Sequence, residues 1–366
     1  MSDFVIVGGG IMGMLLAKEL SHAGAEITLI EKSLCGREAS WAGGGIVSPL
    51  YPWRYSPAVT ALASWAQSLY PALCAELLEI TGIDPELEES GLLMLDAGDE
   101  EEALAWARNA GKTMQRLDAR DIYRHQPGLA AGFNSALWME DIANVRNPRL
   151  GKALRDFLGR LQGVTILEET EVLRMEFASA KLVSLRIKQG AQINTIKGRN
   201  YIVTAGAWSA NLLASITEVA IKPIKGQMLL FNPGRKLLDS IVLTSGRYLI
   251  PRRDHQLLVG STLEDKGFDK QESEEARQSL MQSAVAMLPA LSDYPVVAQW
   301  AGLRPGTSTG IPYIGQCGSC ENLFINAGHY RNGLVLAPAS ARLMADLLLG
   351  HTPLLDPQPY ACSSPH

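Results

Sequence analysis

The sequence predicts an α/β chain, α+β overall, with one domain wound around a parallel sheet and a second built on a mostly antiparallel sheet. Three features of the chain point there. A short apolar run, FVIV at residues 4–7, leads through Gly8, Gly10 and Gly13 into Ile11, Leu15, Leu16 and Leu20 at helical spacing. A second apolar run, EITLI at 26–30, follows at once and ends in Glu31. Much later, 248–250 and 256–261 read as the strands of a hairpin, with 252–255 as its turn.

The first two runs make a strand–turn–helix–strand unit of the Rossmann type. Continuous apolar runs suit strands buried on both faces of a parallel sheet, and Gly24 is placed to close the helix. Gly8 permits the tight turn, Gly10 leaves room for a pyrophosphate against the backbone, and Gly13 lets the helix pack closely on the strand. The helix N-terminus, beginning at Ile11 and Met12, offers unpaired N–H groups and positive dipole to phosphates. Glu31 lies 21 residues after Gly10, at the tip of the second strand, where a carboxylate accepts hydrogen bonds from an adenosine ribose and disfavours the 2′-phosphate of NADP. A glycine-rich turn with no ligand is the bland alternative, but it does not require the acid.

Composition narrows the rest. With 366 residues, 47% of them hydrophobic, the chain can bury a large core shared by two domains. A formal net charge of −5 and the lack of any basic run exclude nucleic acid as a partner. The apolar stretch 334–349 contains Arg342 and Asp346 and reads as an amphipathic helix, so no integral membrane segment is expected. Asp3 and three consecutive glycines do not suit a signal peptide, and the expected location is cytoplasmic. Five cysteines form no paired framework. Cys317 and Cys320 make a lone CxxC, read as two reduced thiols in a turn, and no metal site is expected.

The segment that begins at Glu31, EKSLCGREASWAGGGIVSP at 31–49, carries Ala39, Ser40 and the run Gly43-Gly44-Gly45. Such a loop suits an extended dinucleotide with a flat ring better than the immediate return to a βα unit usual for NAD. Four later segments follow in order: NYIVTAGAWSANLL (200–213), YLIPRRDHQLLVGST (248–262), AGLRPGTSTGIPYIG (301–315) and NAGHYRNGLVLAPASA (326–341). With these, nearly the whole chain resembles the FAD-dependent D-amino-acid and amine oxidase family, and within it the glycine oxidases of the thiamine pathway.

The resemblance implies FAD as the cofactor. Beyond the glycine loop, Glu31 and Lys32, it places Ala39, Ser40, Gly44, Gly45 and Ile46 against the dinucleotide. The backbone of Val172 would bind adenine. Gly206 follows an apolar strand, and Trp208 packs beside the cofactor or in the core; the sequence allows both. His329, Tyr330, Arg331, Asn332 and Gly333 form a loop opening a helix at Leu334 and Val335. In the family that helix end faces the pyrimidine side of the flavin, where its dipole stabilises charge at N1/C2=O. Covalently flavinylated relatives use a cysteine near the Arg304 segment; Cys317 lies too far along, so non-covalent FAD is expected.

The cofactor domain is then discontinuous, 1–80, 146–215 and 318–366, with a substrate domain of 81–145 and 216–317. A helix is expected over 273–288 and a loosely ordered tail after Thr352.

An oxidase of this kind needs a cation to grip a carboxylate, and arginine's planar fork matches it bidentately. Arg304 in GLRPG and Arg331 in GHYRNG match substrate-site arginines of the family; the bland readings are a surface ion pair for Arg304 and a cofactor contact for Arg331. Tyr248 matches a pocket tyrosine, against a core tyrosine at a strand end. Hydride leaves Cα for flavin N5 without a dedicated base, so His329 is structural or near the flavin. Gly246 stands where some relatives carry histidine, and Thr309 where many carry aspartate. Ser48, Tyr248, Leu263 and Arg331 would set the pocket size.

The function implied is oxidative deamination of glycine, sarcosine, N-ethylglycine and small D-amino acids, with O2 giving glyoxylate, ammonia and H2O2. Its expected form is a homo-oligomer, tetrameric by resemblance. The alternatives are a D-amino-acid dehydrogenase passing electrons to a quinone, a non-catalytic FAD module, and an NAD-dependent dehydrogenase.

Overall fold

The computed structural model of the chain describes residues 1–318 and 320–362. The tail expected to be loose lies partly beyond these residues; up to 362 it includes a short turn, Gln358–Tyr360, whose tyrosine is buried.

Two large sheets carry the molecule. The first has six strands in the order Tyr313–Gln316, Leu323–Ala327, Gly198–Val203, Ser2–Val7, Ile27–Ile30 and Val164–Leu167. All neighbours are parallel except Tyr313–Gln316, which runs antiparallel to Leu323–Ala327. Because that hairpin belongs to the first sheet, the expected segment boundary at 318 cuts through it. The central strand is buried on both faces, as its unbroken apolar run requires. On one face lie four helices, Ile11–His22, Pro57–Thr81, Asn147–Gly159 and Gly333–Leu349, which share a core of Leu16, Leu20, Leu62, Leu154 and Leu343. On the other, Val5, Val7, Tyr201 and Val203 pack against Leu182 and Leu185 of an antiparallel three-stranded sheet, 170–196.

The helix Gly333–Leu349 is not amphipathic as expected. It is buried from Val335 to Ala341 and from Leu343 to Asp346, packed mainly against Pro57–Thr81 and Ile11–His22. With its preceding turn it has the length and composition to cross a membrane, yet 67% of it is buried in the protein. Alanines at 337, 339 and 341 allow neighbouring helices to close in on both sides, so Arg342 leaves along the helix edge to Glu19, 3.2 Å away. The first helix ends at His22, and Gly24 at φ +76° donates its N–H to Ser21 O.

The second sheet has eight strands, in the order Val296–Gly306, Lys222–Phe231, Leu257–Gly260, Arg247–Pro251, Ile241–Thr244, Leu92–Leu95, Ser135–Met139 and Gln115–Asp118. Only the contact between Ile241–Thr244 and Leu92–Leu95 is parallel. Arg247–Pro251 and Leu257–Gly260 are the expected hairpin. Period-two alternation divides its faces. Leu249 and Val259 turn to the helix Glu274–Met287, which Ser273 caps by accepting the Ala276 N–H. Tyr248, Ile250 and Leu258 turn the other way, toward Ile46 and Tyr51. The site forms on that second face, where it meets the C-terminal ends of the first sheet's parallel strands.

Candidate active site

A cavity of about 630 Å3 runs between the two sheets. It is lined by 22 of the sequence-predicted site positions, Gly8, Gly10, Ile11, Met12, Glu31, Lys32, Ala39, Ser40, Gly44, Gly45, Ile46, Val172, Gly206, Trp208, Tyr248, Arg304, His329, Tyr330, Arg331, Gly333, Leu334 and Val335, and also by Ser48. Three predicted positions, Gly13, Asn332 and Leu263, do not line it. Gly13 faces inward: a Cβ there would enter the Gly8 carbonyl and stand 2.8 Å from Thr204 Oγ1, so its part is helix–strand packing. Asn332 is buried behind the turn. Leu263, expected in the pocket wall, is 54% exposed and lies off it; Leu50 and Leu303 supply apolar wall instead.

At the glycine loop, Gly8 has φ +116°, and a Cβ would stand 2.6 Å from Thr204 C, so both torsion and space demand glycine. At Gly10 an added Cβ would meet only Ser40 Oγ, at 3.3 Å; the protein alone does not forbid a side chain there. Ser40 Oγ accepts the Ile11 N–H at 2.9 Å. Glu31 accepts from the Gly9 N–H at 2.7 Å and from the Ser33 N–H at 2.9 Å, fixing its carboxylate at the loop. Lys32 pairs with Glu171, 2.7 Å away, beside Val172.

At the opposite end stand the two arginines. Arg304 donates to Ser261 Oγ at 2.6 Å, to Thr262 O at 3.2 Å and to Lys225 O at 3.4 Å, all uncharged acceptors. Its guanidinium lies directly against Gly226, where any Cβ would overlap it. Burial lowers its pKa, and Arg331 lowers it further. Arg331 is exposed, and among the described residues neither arginine has a carboxylate partner. Tyr248 is 7% exposed, with its hydroxyl 3.5 Å from Met228 Sδ and its ring against Gly44 and Gly260. Tyr51 and Tyr55 crowd the same end; burial raises both phenols, and Arg331 opposes that rise.

His329 is 1% exposed, and its Nε2 lies 2.8 Å from Ser340 Oγ. Burial pushes its pKa down to about 3, so it is neutral at physiological pH. Trp208 packs against Phe268, ring centroids 5.5 Å apart, while also lining the cavity.

Several lining residues carry no sequence signal. Asn147 donates to Ser40 O at 2.9 Å, but its buried Oδ1 has no partner among the described residues; neither has Oδ1 of Asn326. Buried polar atoms are normally satisfied, so these two acceptors on the cavity wall suit a polar ligand. Arg252 does not line the cavity but supports it from behind. It stands in PRRD, and donates to Asn144 Oδ1 at 2.6 Å, Val145 O at 2.9 Å and Gly44 O at 2.7 Å, pinning the glycine-rich loop to the hairpin that bears Tyr248. Burial pulls its pKa down to about 10. Cys317 and Cys320 are buried on the far side of the first sheet and do not line the cavity. Among the described residues, no cluster of three or more potential metal ligands occurs.

An elongated cavity with a glycine loop, an acid at one end and unsatisfied acceptors along its wall fits a flavin dinucleotide. Comparison with known proteins agrees. The family model for FAD-dependent oxidoreductases matches residues 3–347. A glycine oxidase of Pseudomonas aeruginosa is 51% identical over 358 residues, covering 98% of this chain and 97% of its own. The crystal structure of glycine oxidase from Geobacillus kaustophilus superposes with a TM-score of 0.93 at 30% identity, covering 99% of this chain and 98% of that one. A bifunctional ThiO/ThiG protein of Nostoc is 31% identical over 95% of this chain and 52% of its own length. The cavity, the glycine loop and these likenesses agree that the chain belongs to the FAD-dependent oxidoreductases, in the branch of the glycine oxidases.

Proposed function

We propose that this protein oxidatively deaminates glycine and similar small amines, among them sarcosine, N-ethylglycine and small D-amino acids, with O2 as final acceptor and glyoxylate, ammonia and H2O2 as products. The observation that carries this reading is the pair Arg304 and Arg331, two guanidinium groups without carboxylate partners among the described residues, at the tyrosine-lined end of the cavity. A carboxylate there gains charge-assisted hydrogen bonds that none of the described residues supplies. When bound, FAD supplies the hydride acceptor.

The chain's own residues do the rest. Arg304, held by Ser261 and Thr262 from behind, fixes the substrate carboxylate. Arg331 closes over it from the exposed side. Tyr248 gives a hydroxyl near Arg304 and an aromatic wall, confined by Gly44 and Gly260. Leu50 and Leu303 exclude water around Cα. His329 is neutral and engaged with Ser340, so it holds the wall and takes no proton. The first turn of Gly333–Leu349 presents N–H groups and dipole to negative charge in the cavity. The cofactor half comprises 1–80, 146–215 and, among the described residues, the chain from 313 to 362. The likeness to ThiO/ThiG supports a role in making the thiazole of thiamine, for which the imine product is suited.

A panel of glycine, sarcosine, N-ethylglycine and D-alanine, read by peroxide release from purified yellow protein, tests the proposal. Glycine turnover with stoichiometric peroxide is expected. Flavin reduction without peroxide until a quinone is added would turn the reading to a dehydrogenase, and no flavin reduction by any of the amines would overturn it.

A further inference from the structure

Between the strand Leu257–Gly260 and the helix Glu274–Met287 the chain runs out as a strap, residues 263–272, which crosses from the second sheet to the glycine loop. It is tied down along its length. Lys225, 3% exposed, reaches Asp269 at 2.8 Å, and the backbones of Lys225 and Glu264 exchange hydrogen bonds of 2.9 and 3.0 Å. Gln227 Nε2 donates to Glu264 Oε1 at 3.0 Å, and Gln227 Oε1 accepts the Ser273 N–H at 2.9 Å. A segment with so many ties holds its tip in place.

That tip makes two contacts. Lys270 Nζ bonds both carboxylate oxygens of Glu38, at 2.9 and 3.0 Å, and stands 6.0 Å from the centre of the Trp208 ring, on which Phe268 packs. Both targets adjoin the glycine loop. Glu38 lies two residues before Ser40, whose hydroxyl accepts the Ile11 N–H. Trp208 follows Thr204, whose hydroxyl donates to Gly8 O at 2.7 Å. Lys270, Glu38 and Trp208 all line the cavity. The four cations on its wall are thus distributed: Lys32 beside Val172 and Glu171, Arg304 and Arg331 at the tyrosine end, and Lys270 across the glycine loop between them.

Resting on the FAD reading, we propose that Lys270 is a cofactor-binding residue that sets its ammonium against the diphosphate of the dinucleotide, so that the second sheet's strap latches FAD into the first domain. A diphosphate brings two negative charges to a loop that already holds the carboxylates of Glu31 and Glu38. Helix N–H groups supply only partial positive charge there. Among the described residues, Lys270 is the one lysine or arginine on the cavity wall placed at that loop. It offsets Glu38 and, with three donors, has capacity for a phosphate oxygen besides.

The test uses apoprotein from the wild type, Lys270→Gln and Lys270→Arg, titrated with FAD, ADP and adenosine by quenching of tryptophan fluorescence, with thermal unfolding as a check on the fold. Because Lys270 is 44% exposed on its side chain, the variants should fold as the wild type does. Lys270→Gln is expected to weaken FAD and ADP each by about tenfold, to leave adenosine unchanged and to flatten the salt dependence of FAD binding, with Lys270→Arg within about threefold of wild type. Lys270→Gln protein that binds FAD and ADP as the wild type does, or loses adenosine as much as ADP, overturns the latch alone. Wild-type apoprotein that takes up no FAD overturns the flavoprotein reading, and the latch with it.

Discussion

The two ends of the cavity are built in opposite ways. At the glycine loop, a single stretch from Gly8 to Glu31 supplies turn, helix and acid, and its parts bond one another: Glu31 holds the Gly9 N–H. At the arginine end, nothing is local. Arg304 bonds Ser261, Thr262 and Lys225, and meets Tyr248 and Arg331 from other strands and loops. The first end is specified by backbone geometry and tolerates little change in shape. The second is specified by charge placed on a rigid sheet, so its substitutions should cost binding before they cost folding.

The largest expected effect breaks the first end. Gly13→Ala drives a methyl into the Gly8 carbonyl, and the expected loss of stability exceeds ~3 kcal/mol, read as failure to recover folded protein. Gly10→Val is the counterpart that sharpens the contrast. Its backbone is extended and its nearest neighbour is a side chain, so the variant should fold, with a Tm near wild type, yet purify colourless. A yellow Gly10→Val protein would show that no phosphate passes there.

Next, Arg304→Ala should raise KM for glycine by about 10²–10³-fold with FAD content unchanged. Steady-state kinetics beside the visible spectrum separates the two, and an unaltered KM would refute the carboxylate grip. Stability near pH 5 should respond more gently. The pKa of His329 is depressed in the folded chain from 6.5 to about 3, so the unfolded chain binds the extra proton between those values. Stability is then full above about pH 6.5 and falls as pH drops toward 3, with a slope of at most ~1.4 kcal/mol per pH unit from this group. Urea unfolding of His329→Asn across that window should show a shallower slope; identical slopes would mean that the imidazole is solvated. Smallest is Gly226→Ala, whose methyl displaces the Arg304 guanidinium. A rise in KM of about tenfold is expected, with the flavin spectrum intact.

Legibility in the sequence follows the same division. The glycine loop, Glu31 and the hairpin around Tyr248 could be read because each rests on neighbours a few residues away. Asn147, Asn326 and Lys270 could not. An asparagine or a lysine in isolation is unremarkable, and only the packing of the sheets brings these three to one wall. Leu263 was misplaced because the chain leaves the strand at Gly260 and turns outward into the strap. The helix Gly333–Leu349 looked amphipathic because two charges interrupt it, but whether a helix face meets water depends on what packs on it.

The sequence by itself determined the dinucleotide unit, the parallel and antiparallel halves and the arginine-bearing segments, since periodicity, turn chemistry and residue type act over short distances. Only the tertiary structure decided which charges stay unpaired, which polar atoms lack partners and where the strap lands. Those properties belong to surfaces brought together from distant parts of the chain, and no local pattern encodes the contact.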